Sequence, residues 1–170
     1  MLESLGVTSL EVRSLDDLGK IDRLIIPGGE STVISRFLES TGVGREIRRR
    51  VQDSSLAVYG TCAGAILLAR KVTGKNSPRA LGLIDIVIER NAYGTQAQSF
   101  AAELSIRGIA KKVSAAFIRA PVITRIGRGV EILSVYDGIP VLVAQGRVLA
   151  GTFHPEVRGE RAMHAVFLKL

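Results

Sequence analysis

The sequence predicts a three-layer α/β/α fold with a mixed, largely parallel central sheet. Two short apolar runs, at residues 23–27 and 56–59, each end in a glycine-containing turn that leads into a segment with helical spacing. Strand, glycine turn and helix in this order form the βα unit of a parallel sheet. The second half of the chain is rich in β-forming residues, and residues 160–170 carry an apolar stripe of helical period that would cover the sheet.

Length and composition favour a single domain over residues 1–170. Of the 170 residues, 46% are hydrophobic and 23% are charged, which is the balance of a globular protein with a sizeable core. The chain has no internal repeat and no linker. No apolar run reaches the roughly 18 residues that a membrane helix needs, and acidic residues interrupt the N-terminal segment, where a signal peptide is apolar. We therefore expect a cytoplasmic protein.

The expected elements follow from apolar runs and their punctuation. Pro27 and the glycines after it stop a strand, and Ser31 and Thr32 offer N-terminal caps for the helix that follows. In the first half we expect strands at residues 10–12, 23–27 and 56–59 and helices at residues 31–38, 45–52 and 63–70. In the second half we expect strands at residues 83–89, 101–106, 115–118, 130–136, 141–145 and 148–153 and a helix over residues 160–170.

The net charge of +7 and the isoelectric point near 10.1 raise the question of nucleic-acid binding. The densest basic run comprises Arg45, Arg48, Arg49 and Arg50. Helical spacing makes this run a solvated helix face, and no aromatic residues are interleaved with it to stack on bases. An acidic protein partner explains the charge equally well, so we expect no nucleic-acid partner.

Cys62 is the only cysteine, so the chain can form neither an internal disulfide nor a thiolate-rich zinc site. It lies in Gly60-Thr-Cys-Ala-Gly64, between a predicted strand and a predicted helix, which is the form of a nucleophile elbow. The two glycines would leave room where such a turn packs closely against its neighbours. The helix N-terminus favours a thiolate, and the backbone N–H of Ala63 can hold an oxyanion. The alternative is an inert, buried cysteine.

A base for the thiol is expected in the sequence His154-Pro-Glu156. Proline biases His154 to extended geometry, so the side chains of His154 and Glu156 can point to the same side. The carboxylate would then orient the imidazole toward Cys62, as in a catalytic triad. The other histidine, His164, lies on the predicted C-terminal helix, where we expect a packing or surface role.

The turn Pro27-Gly-Gly-Glu-Ser-Thr32 also joins a strand to a helix. It is not a phosphate-binding loop, because no Gly-Lys-Ser/Thr follows and Glu30 would repel phosphate. We expect the Gly28–Gly29 turn to supply a second donor for an oxyanion and Glu30 to be free to bind a cationic group such as a substrate α-amine. A plain turn with a Ser/Thr cap would account for the glycines and Ser31 but not for Glu30.

Together these motifs resemble the class I, or triad, glutamine amidotransferases, and most closely the glutaminase subunits of pyridoxal 5′-phosphate synthases. The resemblance runs from about residue 21 to the C-terminus, and it implies a flavodoxin-like arrangement of the sheet. The sequences that carry it are Pro27-Gly-Gly-Glu-Ser-Thr32, Gly60-Thr-Cys-Ala-Gly64, Glu89-Arg-Asn-Ala-Tyr-Gly94, Phe117-Ile-Arg-Ala-Pro121 and Thr152-Phe-His-Pro-Glu156.

This resemblance implies hydrolysis of L-glutamine to L-glutamate and ammonia. Cys62 would form a glutamyl thioester, His154 would act as general base and then acid, and Glu156 would orient it. The oxyanion hole would comprise Gly28, Gly29 and Ala63, and the substrate contacts would be Gly29, Glu30, Ser31, Arg90, Ile118 and Arg119. A guanidinium suits a substrate with a free carboxylate.

The partner implied by the resemblance is a separate (β/α)₈ synthase subunit in a large hetero-oligomer, which receives the ammonia through a tunnel. No metal, bound cofactor, nucleic acid or membrane is expected.

Two departures from the family pattern stand out. Thr95 takes the place of a usual arginine. Residues 1–6 resemble the end of the family's first helix, so we expect the family's usual first strand to be lacking, which would expose strand edges and part of the core. A non-catalytic docking form and another elbow-type cysteine hydrolase remain alternatives.

Overall fold

The computed structural model of the protein describes residues 1–90 and 99–170. Its helices are α1 (Leu15–Gly19), α2 (Ser31–Ser40), α3 (Val43–Gln52), α4 (Ala63–Leu68) and α5 (Ala162–Phe167), with short 3₁₀ helices at Glu3–Leu5 and Glu156–Arg158. The strands are β1 (Arg23–Ile26), β2 (Ala57–Thr61), β3 (Ala69–Thr73), β4 (Ile84–Glu89), β5 (Phe100–Leu104), β6 (Val113–Phe117), β7 (Val122–Ile126), β8 (Glu131–Tyr136), β9 (Ile139–Gln145) and β10 (Val148–Gly151).

The central sheet is mixed, as predicted. Its five strands have the order β1-β2-β10-β9-β8. The strands β1, β2 and β10 run parallel, with Tyr59 of β2 in register with Ile25 on one side and Leu149 on the other. The strands β9 and β8 continue the sheet in antiparallel fashion. Two smaller sheets, β3-β4-β7 and β5-β6, accompany it. The predicted fold class is therefore confirmed.

Two apolar clusters cover the two faces of the central sheet. Val58 of β2 packs with residues of α3 and α4, among them Ile47 and Leu67. The neighbouring Tyr59 points to the opposite face and packs with Phe153 of the loop after β10 and Phe167 of α5. Because both faces are covered, every residue of β2 is buried, which explains why its sequence is a continuous apolar run and not an alternating one.

The predicted strand at residues 10–12 is wrong. These residues belong to no strand or helix. The strand β1 is the end strand of the central sheet, and residues 7–12 line, together with β1, a largely apolar groove of about 930 Å³. A strand forms only where its backbone finds a partner, and the described residues supply none for this segment. The outer edge of β1 is thus open to the groove.

Two strands were missed, and two helices are shorter than predicted. Helix α4 ends at Leu68 and the chain turns directly into β3, which pairs in parallel with β4. The apolar run through residue 69 does not distinguish a buried helix from a buried strand. Strand β7 pairs antiparallel with β4, and α5 covers only Ala162–Phe167 of the predicted residues 160–170. Within the described residues, no helix is long and apolar enough to span a bilayer.

The basic run on α3 is partly structural. Arg49 pairs with Glu46 and Asp53 on the exposed face of the helix, as expected of a solvated surface. Arg50 instead reaches across to the chain before β1, where its guanidinium donates to the carbonyl oxygens of Leu18 at 2.5 Å and Ile21 at 2.7 Å. This arginine therefore fixes the position of α1 against α3.

Candidate active site

Cys62 lies in a strained turn between β2 and α4. Its backbone has φ 49° and ψ −103°, a conformation that costs a non-glycine residue roughly 1–3 kcal/mol. Hydrogen bonds hold the turn on both sides: the Cys62 N–H donates to the Gly151 carbonyl at 2.8 Å, and the Cys62 carbonyl accepts from Ile66 N at 3.2 Å. The predicted elbow, with a strand before the cysteine and a helix after it, is confirmed.

The glycines on either side of Cys62 allow three segments to pack together. A Cβ atom on Gly60 would lie 2.5 Å from the Gly64 carbonyl carbon, and one on Gly64 would lie 1.9 Å from the Ile26 carbonyl oxygen of β1. Both distances are far inside van der Waals contact. The predicted role of these glycines, which is to leave room around a crowded turn, is therefore confirmed.

His154 and Glu156 form the hydrogen-bonded pair that their spacing predicts. His154 Nδ1 lies 2.8 Å from Glu156 Oε1. The backbone of His154 is fixed by a two-way bridge to Ala116 of β6, with His154 N donating at 2.8 Å and Ala116 N donating back at 3.3 Å. This bridge, which the sequence does not signal, holds the imidazole at the end of β10 beside the cysteine turn.

The pKa values of His154 and Glu156 are both shifted by interactions between neighbouring side chains. Hydrogen bonding with Cys62, the largest influence, and then with Glu156 raises the pKa of His154 to about 10 against a burial effect in the other direction. For Glu156, burial acts to raise the pKa, but the hydrogen bond with His154 and the nearby positive charge outweigh it, so the pKa is lowered. An imidazole that a carboxylate holds in its protonated form is suited to serve a cysteine nucleophile.

We expect Glu156→Gln to lower the pKa of His154 by roughly one unit, because the variant removes the second-largest influence on it and leaves that of Cys62. NMR titration of the imidazole signals measures this directly, and only two histidines need to be assigned. Glu131→Gln, at an exposed position on β8, is the matched control. A His154 titration midpoint near 6.5 in the wild type would contradict the arrangement.

The raised pKa of His154 also makes the stability of the fold depend on pH. The folded value of about 10 lies above the unfolded value of 6.5. The interaction therefore stabilises the fold fully below pH 6.5, and this contribution is lost as the pH rises through about 10.

The Gly28–Gly29 turn lies directly against the imidazole. A Cβ atom on Gly28 would lie 2.2 Å from His154 Cε1, and Gly29 has φ +146°, in the region that favours glycine. Gly28, which is predicted to belong to the oxyanion hole, is thus in contact with His154, the predicted base. Ala63, the third residue predicted for that role, is the first residue of α4, where helix geometry leaves backbone N–H groups without an intrahelical acceptor.

Gly28→Ala is expected to lower the rate of any chemistry at Cys62 by roughly a hundredfold, because the new methyl group displaces His154. The displaced atom is the far end of a side chain, so we expect the free energy of unfolding to fall by only about 1 kcal/mol. Rates and chemical denaturation of the same preparation separate the two effects. Gly19→Ala, which meets no atom within 4 Å, is the control. Unchanged rates in Gly28→Ala would contradict the placement of His154.

Glu30 is engaged through one carboxylate oxygen and is not wholly free as predicted, although 57% of its side chain is exposed. Its carboxylate caps α2, where Oε1 accepts from Thr32 N at 3.0 Å and from Thr32 Oγ1 at 2.8 Å. The predicted capping by Ser31 or Thr32 is therefore wrong, because the residue before them provides the cap. Glu30 Oε1 also lies 3.4 Å from Arg90 Nη2. These hydrogen bonds of Glu30, with a smaller effect of the Arg90 charge, lower the pKa of this carboxyl group.

The remaining residues predicted to contact the substrate lie at different depths in the fold, and one of them is adjacent to Cys62. Cys62 Sγ lies 3.9 Å from the carbonyl oxygen of Ile118. Arg119, the next residue, is exposed and has φ +47°. Arg90 is largely buried, with 13% of its side chain exposed, and donates to the Asn76 carbonyl at 2.6 Å. Ser31 is buried as the first residue of α2. Residues 91–94 of the Glu89–Gly94 motif and Thr95 lie outside the described residues.

No metal-binding cluster accompanies this site. Across residues 1–90 and 99–170, no group of three or more His, Cys, Asp or Glu side chains is placed to hold a metal ion. The arrangement as described offers a thiol nucleophile, a base with its orienting carboxylate and a glycine turn against the base. This set suits acyl transfer through a thioester.

Comparison with known proteins assigns the chain to a family. It matches the SNO glutamine amidotransferase family along residues 1–170. A "pyridoxal 5'-phosphate synthase subunit PdxT" of Thermus thermophilus is 46% identical over 169 residues, which is 99% of this chain and 88% of the relative. A protein of the same name from Niallia circulans is 42% identical over 170 residues, with 100% and 88% coverage.

Solved structures agree with this assignment. One described as a glutamine amidotransferase has 45% identity and a TM-score of 0.93, and the match covers 99% of this chain and 88% of that chain. Another, a glutamine amidotransferase of Thermotoga maritima, has 11% identity and a TM-score of 0.55 over 95% of this chain and 68% of that chain, and it shares the fold. From its sequence and its fold, this chain belongs to the SNO glutamine amidotransferase family.

Proposed function

We propose that this chain is a glutaminase that hydrolyses L-glutamine to L-glutamate and ammonia with Cys62, His154 and Glu156 as its catalytic triad. The observation that carries this proposal is geometric: Cys62 lies in the strained turn between β2 and α4, and His154 Nδ1 lies 2.8 Å from Glu156 Oε1. The raised pKa of His154, to which hydrogen bonding with Cys62 contributes most, is consistent with this arrangement. Family membership supports glutamine as the amide that the thiol attacks.

In the first half of the reaction, Cys62 Sγ attacks the side-chain amide carbon of glutamine. The carbonyl oxygen becomes an oxyanion, which the backbone N–H of Ala63 and the Gly28–Gly29 turn stabilise. The imidazolium of His154 gives its proton to the amide nitrogen as the carbon–nitrogen bond breaks. Ammonia leaves, and a glutamyl thioester remains on Cys62.

In the second half, water attacks the thioester carbonyl carbon. His154, now neutral, takes a proton from that water, and the carbon–sulfur bond breaks. Glutamate is released, and the thiolate of Cys62 and the imidazolium of His154 are restored. Throughout, Glu156 orients the ring and stabilises its positive charge.

The α-amino and α-carboxylate groups of glutamine require opposite charges beside the triad. Glu30 presents a carboxylate with 57% of its side chain exposed, and we assign it to the α-amine. Arg119 carries an exposed guanidinium next to Ile118, and we assign it to the α-carboxylate. Arg90 is already bound to Glu30 and Asn76, so its role in the proposal is to hold Glu30 in place. Gly29 and Ser31 complete the turn around the substrate.

The product ammonia is proposed to pass to a separate synthase subunit. Two of the relatives are named as subunits of pyridoxal 5'-phosphate synthase, which supports a partner of that kind for this chain. We propose that the partner is a (β/α)₈ subunit within a large hetero-oligomer and that it uses the ammonia to make pyridoxal 5'-phosphate.

This function is tested by measuring glutamate release from L-glutamine with and without the proposed partner. The partner added is the other, ammonia-accepting subunit of the Thermus thermophilus pyridoxal 5'-phosphate synthase, not the PdxT subunit that resembles this chain. We expect hydrolysis that increases when the synthase is added, since channelling enzymes commonly complete their active site on assembly. L-Asparagine, one methylene shorter, is the matched control amide and should not be hydrolysed.

Three outcomes would overturn the proposal in different ways. No hydrolysis in either setting, together with stable binding to the synthase, would indicate a docking-only chain. Hydrolysis of asparagine at the same rate as glutamine would indicate another kind of cysteine hydrolase. Glutamine hydrolysis without any association with the synthase would preserve the glutaminase and overturn the partner.

A further inference from the structure

The end of strand β6 contacts two residues of the proposed triad within three positions of chain. Ala116 forms the two-way backbone bridge with His154, at 2.8 Å and 3.3 Å. Two positions later, the carbonyl oxygen of Ile118 lies 3.9 Å from Cys62 Sγ. Phe117, the last residue of β6, lies between these two contacts. A displacement of Phe117 would therefore reach the base and the nucleophile together.

The side chain of Phe117 adds a second connection to the base. It is buried, and its ring centroid lies 5.8 Å from that of Phe153, which directly precedes His154 and is itself fully buried. A third connection begins at Ser114 of the same strand, whose hydroxyl accepts from Arg158 Nε at 3.3 Å. Arg158 ends the short 3₁₀ helix that follows His154 closely along the chain. Backbone, ring and hydroxyl contacts thus join β6 to the segment that carries the base.

The ring of Phe117 also belongs to an aromatic stack that fixes the β5–β6 hairpin. Its centroid lies 4.7 Å from that of Phe100 on β5, at an interplanar angle of 11°, and 5.5 Å from that of Tyr136 on β8, at 28°. Stacked rings at these distances stabilise a fold beyond the effect of their burial alone. Strand β8 belongs to the central sheet, so the stack attaches the hairpin to the sheet whose strands lead to the nucleophile and the base.

The turn after Phe117 is exposed and strained. Ile118 and Arg119 are both exposed, whereas Phe117 before them and Ala120 after them are buried. Arg119 has φ +47°, a conformation that persists only where the surrounding structure fixes it. The buried ring of Phe117 is therefore the anchor on the N-terminal side of the turn that contacts the thiol.

We propose that Phe117 is a positioning residue, which acts through the backbone of Ala116 and Ile118 and through the ring of Phe153 to set the imidazole of His154 against the thiol of Cys62. A shorter aliphatic side chain would leave a gap into which the hairpin and the Phe153 ring relax. Catalytic geometry is sensitive to such movements, since a misplacement of about 1 Å can lower a rate roughly a hundredfold. This inference rests on the proposed triad.

The test measures how far the thiol of Cys62 behaves as a thiolate at neutral pH, and it needs no glutamine. Iodoacetamide alkylates the thiolate, so the ratio of the alkylation rates at pH 7 and pH 9.5 reports how far the imidazole keeps Cys62 ionised. We expect Phe117→Leu to reduce this ratio about fivefold, toward the value of His154→Asn, in which the imidazole is absent.

Phe167→Leu is the matched control. It makes the same substitution at a buried position of the same apolar cluster, where the ring packs 5.7 Å from that of Tyr59 and none of the ring contacts of Phe117 is altered. We expect both leucine variants to lower the denaturation midpoint to a similar extent, because both lose the same buried atoms. The alkylation ratio should fall in Phe117→Leu and remain at the wild-type value in Phe167→Leu.

The outcomes separate this role from packing and from the triad itself. A wild-type ratio in Phe117→Leu, with His154→Asn reduced, would overturn the role of Phe117 and leave the triad intact. An equal fall in Phe167→Leu would also overturn it, because general loosening of the core would be the cause. A wild-type ratio in His154→Asn would overturn the triad, and this inference with it.

A second variant covers the case in which Phe117→Leu fails to fold. Phe100→Leu removes the neighbouring ring of the stack at a position that is only partly buried, so its cost to stability should be smaller. We expect it to reduce the alkylation ratio about twofold, and an unchanged ratio would overturn the inference.

Discussion

Cys62→Ala is expected to abolish glutamine hydrolysis, lowering the rate by roughly a thousandfold or more. The thioester cannot form without the sulfur, and no other cysteine exists in the chain to replace it. The substitution should leave the fold intact, because the sulfur is small, its contact with Ile118 O is long at 3.9 Å, and the His154 side chain keeps its hydrogen bond with Glu156. Glutamate release and thermal denaturation, measured on the same preparation, test both parts of this expectation.

Cys62→Ser is the matched control for shape. It retains a hydroxyl in place of the thiol, but a hydroxyl is a far weaker nucleophile beside an imidazolium, so it should be nearly as inactive as Cys62→Ala. The alanine variant, prepared identically, also measures any glutaminase carried over from the expression host. Glutamate release by Cys62→Ala at the wild-type rate would show that the thiol is not the nucleophile.

Gly64→Ala is expected to lower the free energy of unfolding by about 3 to 5 kcal/mol. The new Cβ atom would lie 1.9 Å from the carbonyl oxygen of Ile26 and 2.8 Å from its carbonyl carbon. Both are backbone atoms of β1, which pairs with β2 along its length, so relief requires the strand or α4 to move. Chemical denaturation followed by circular dichroism measures the loss.

Two other glycines serve as controls for this prediction. Gly19→Ala introduces a Cβ atom with nothing within 4 Å, and we expect its stability to remain within about 0.5 kcal/mol of the wild type. Gly28→Ala meets a side chain and not a backbone, so it should lose activity while it keeps most of its stability. A Gly64→Ala chain within about 1 kcal/mol of the wild type would contradict the close packing of the elbow against β1.

Local spacing explains why the central part of the site could be predicted from the sequence. The elbow around Cys62 needs a glycine two positions away on each side, and the His154–Glu156 pair needs only an extended backbone over three residues. Both requirements are met within a few residues of chain, where backbone geometry fixes which side chains can meet. The fold class could be predicted for a similar reason, because the strand–turn–helix order is local.

The contacts that the sequence did not predict join distant parts of the chain. Glu30 caps its own helix, α2, and is paired with Arg90, sixty residues later. How much of the Glu30 carboxylate remains available to a substrate therefore depends on how the end of β4 meets α2. The bridge between Ala116 and His154 depends on how β6 meets the end of β10. The edge position of β1 and the absence of a strand at residues 10–12 likewise depend on which backbone partners the tertiary fold supplies.

Covalent labelling of Cys62 by a thiol-reactive glutamine analogue, 6-diazo-5-oxo-L-norleucine, tests the central claim most directly. Mass spectrometry of the intact chain and of its peptides should find one adduct, located on Cys62. L-Glutamine should prevent the labelling, and L-asparagine should not, since the site is proposed to recognise the length of the glutamine side chain and its α-amino-acid group. Labelling that glutamine fails to block, or no labelling in the presence of the synthase subunit, would contradict a glutaminase site built on Cys62, His154 and Glu156.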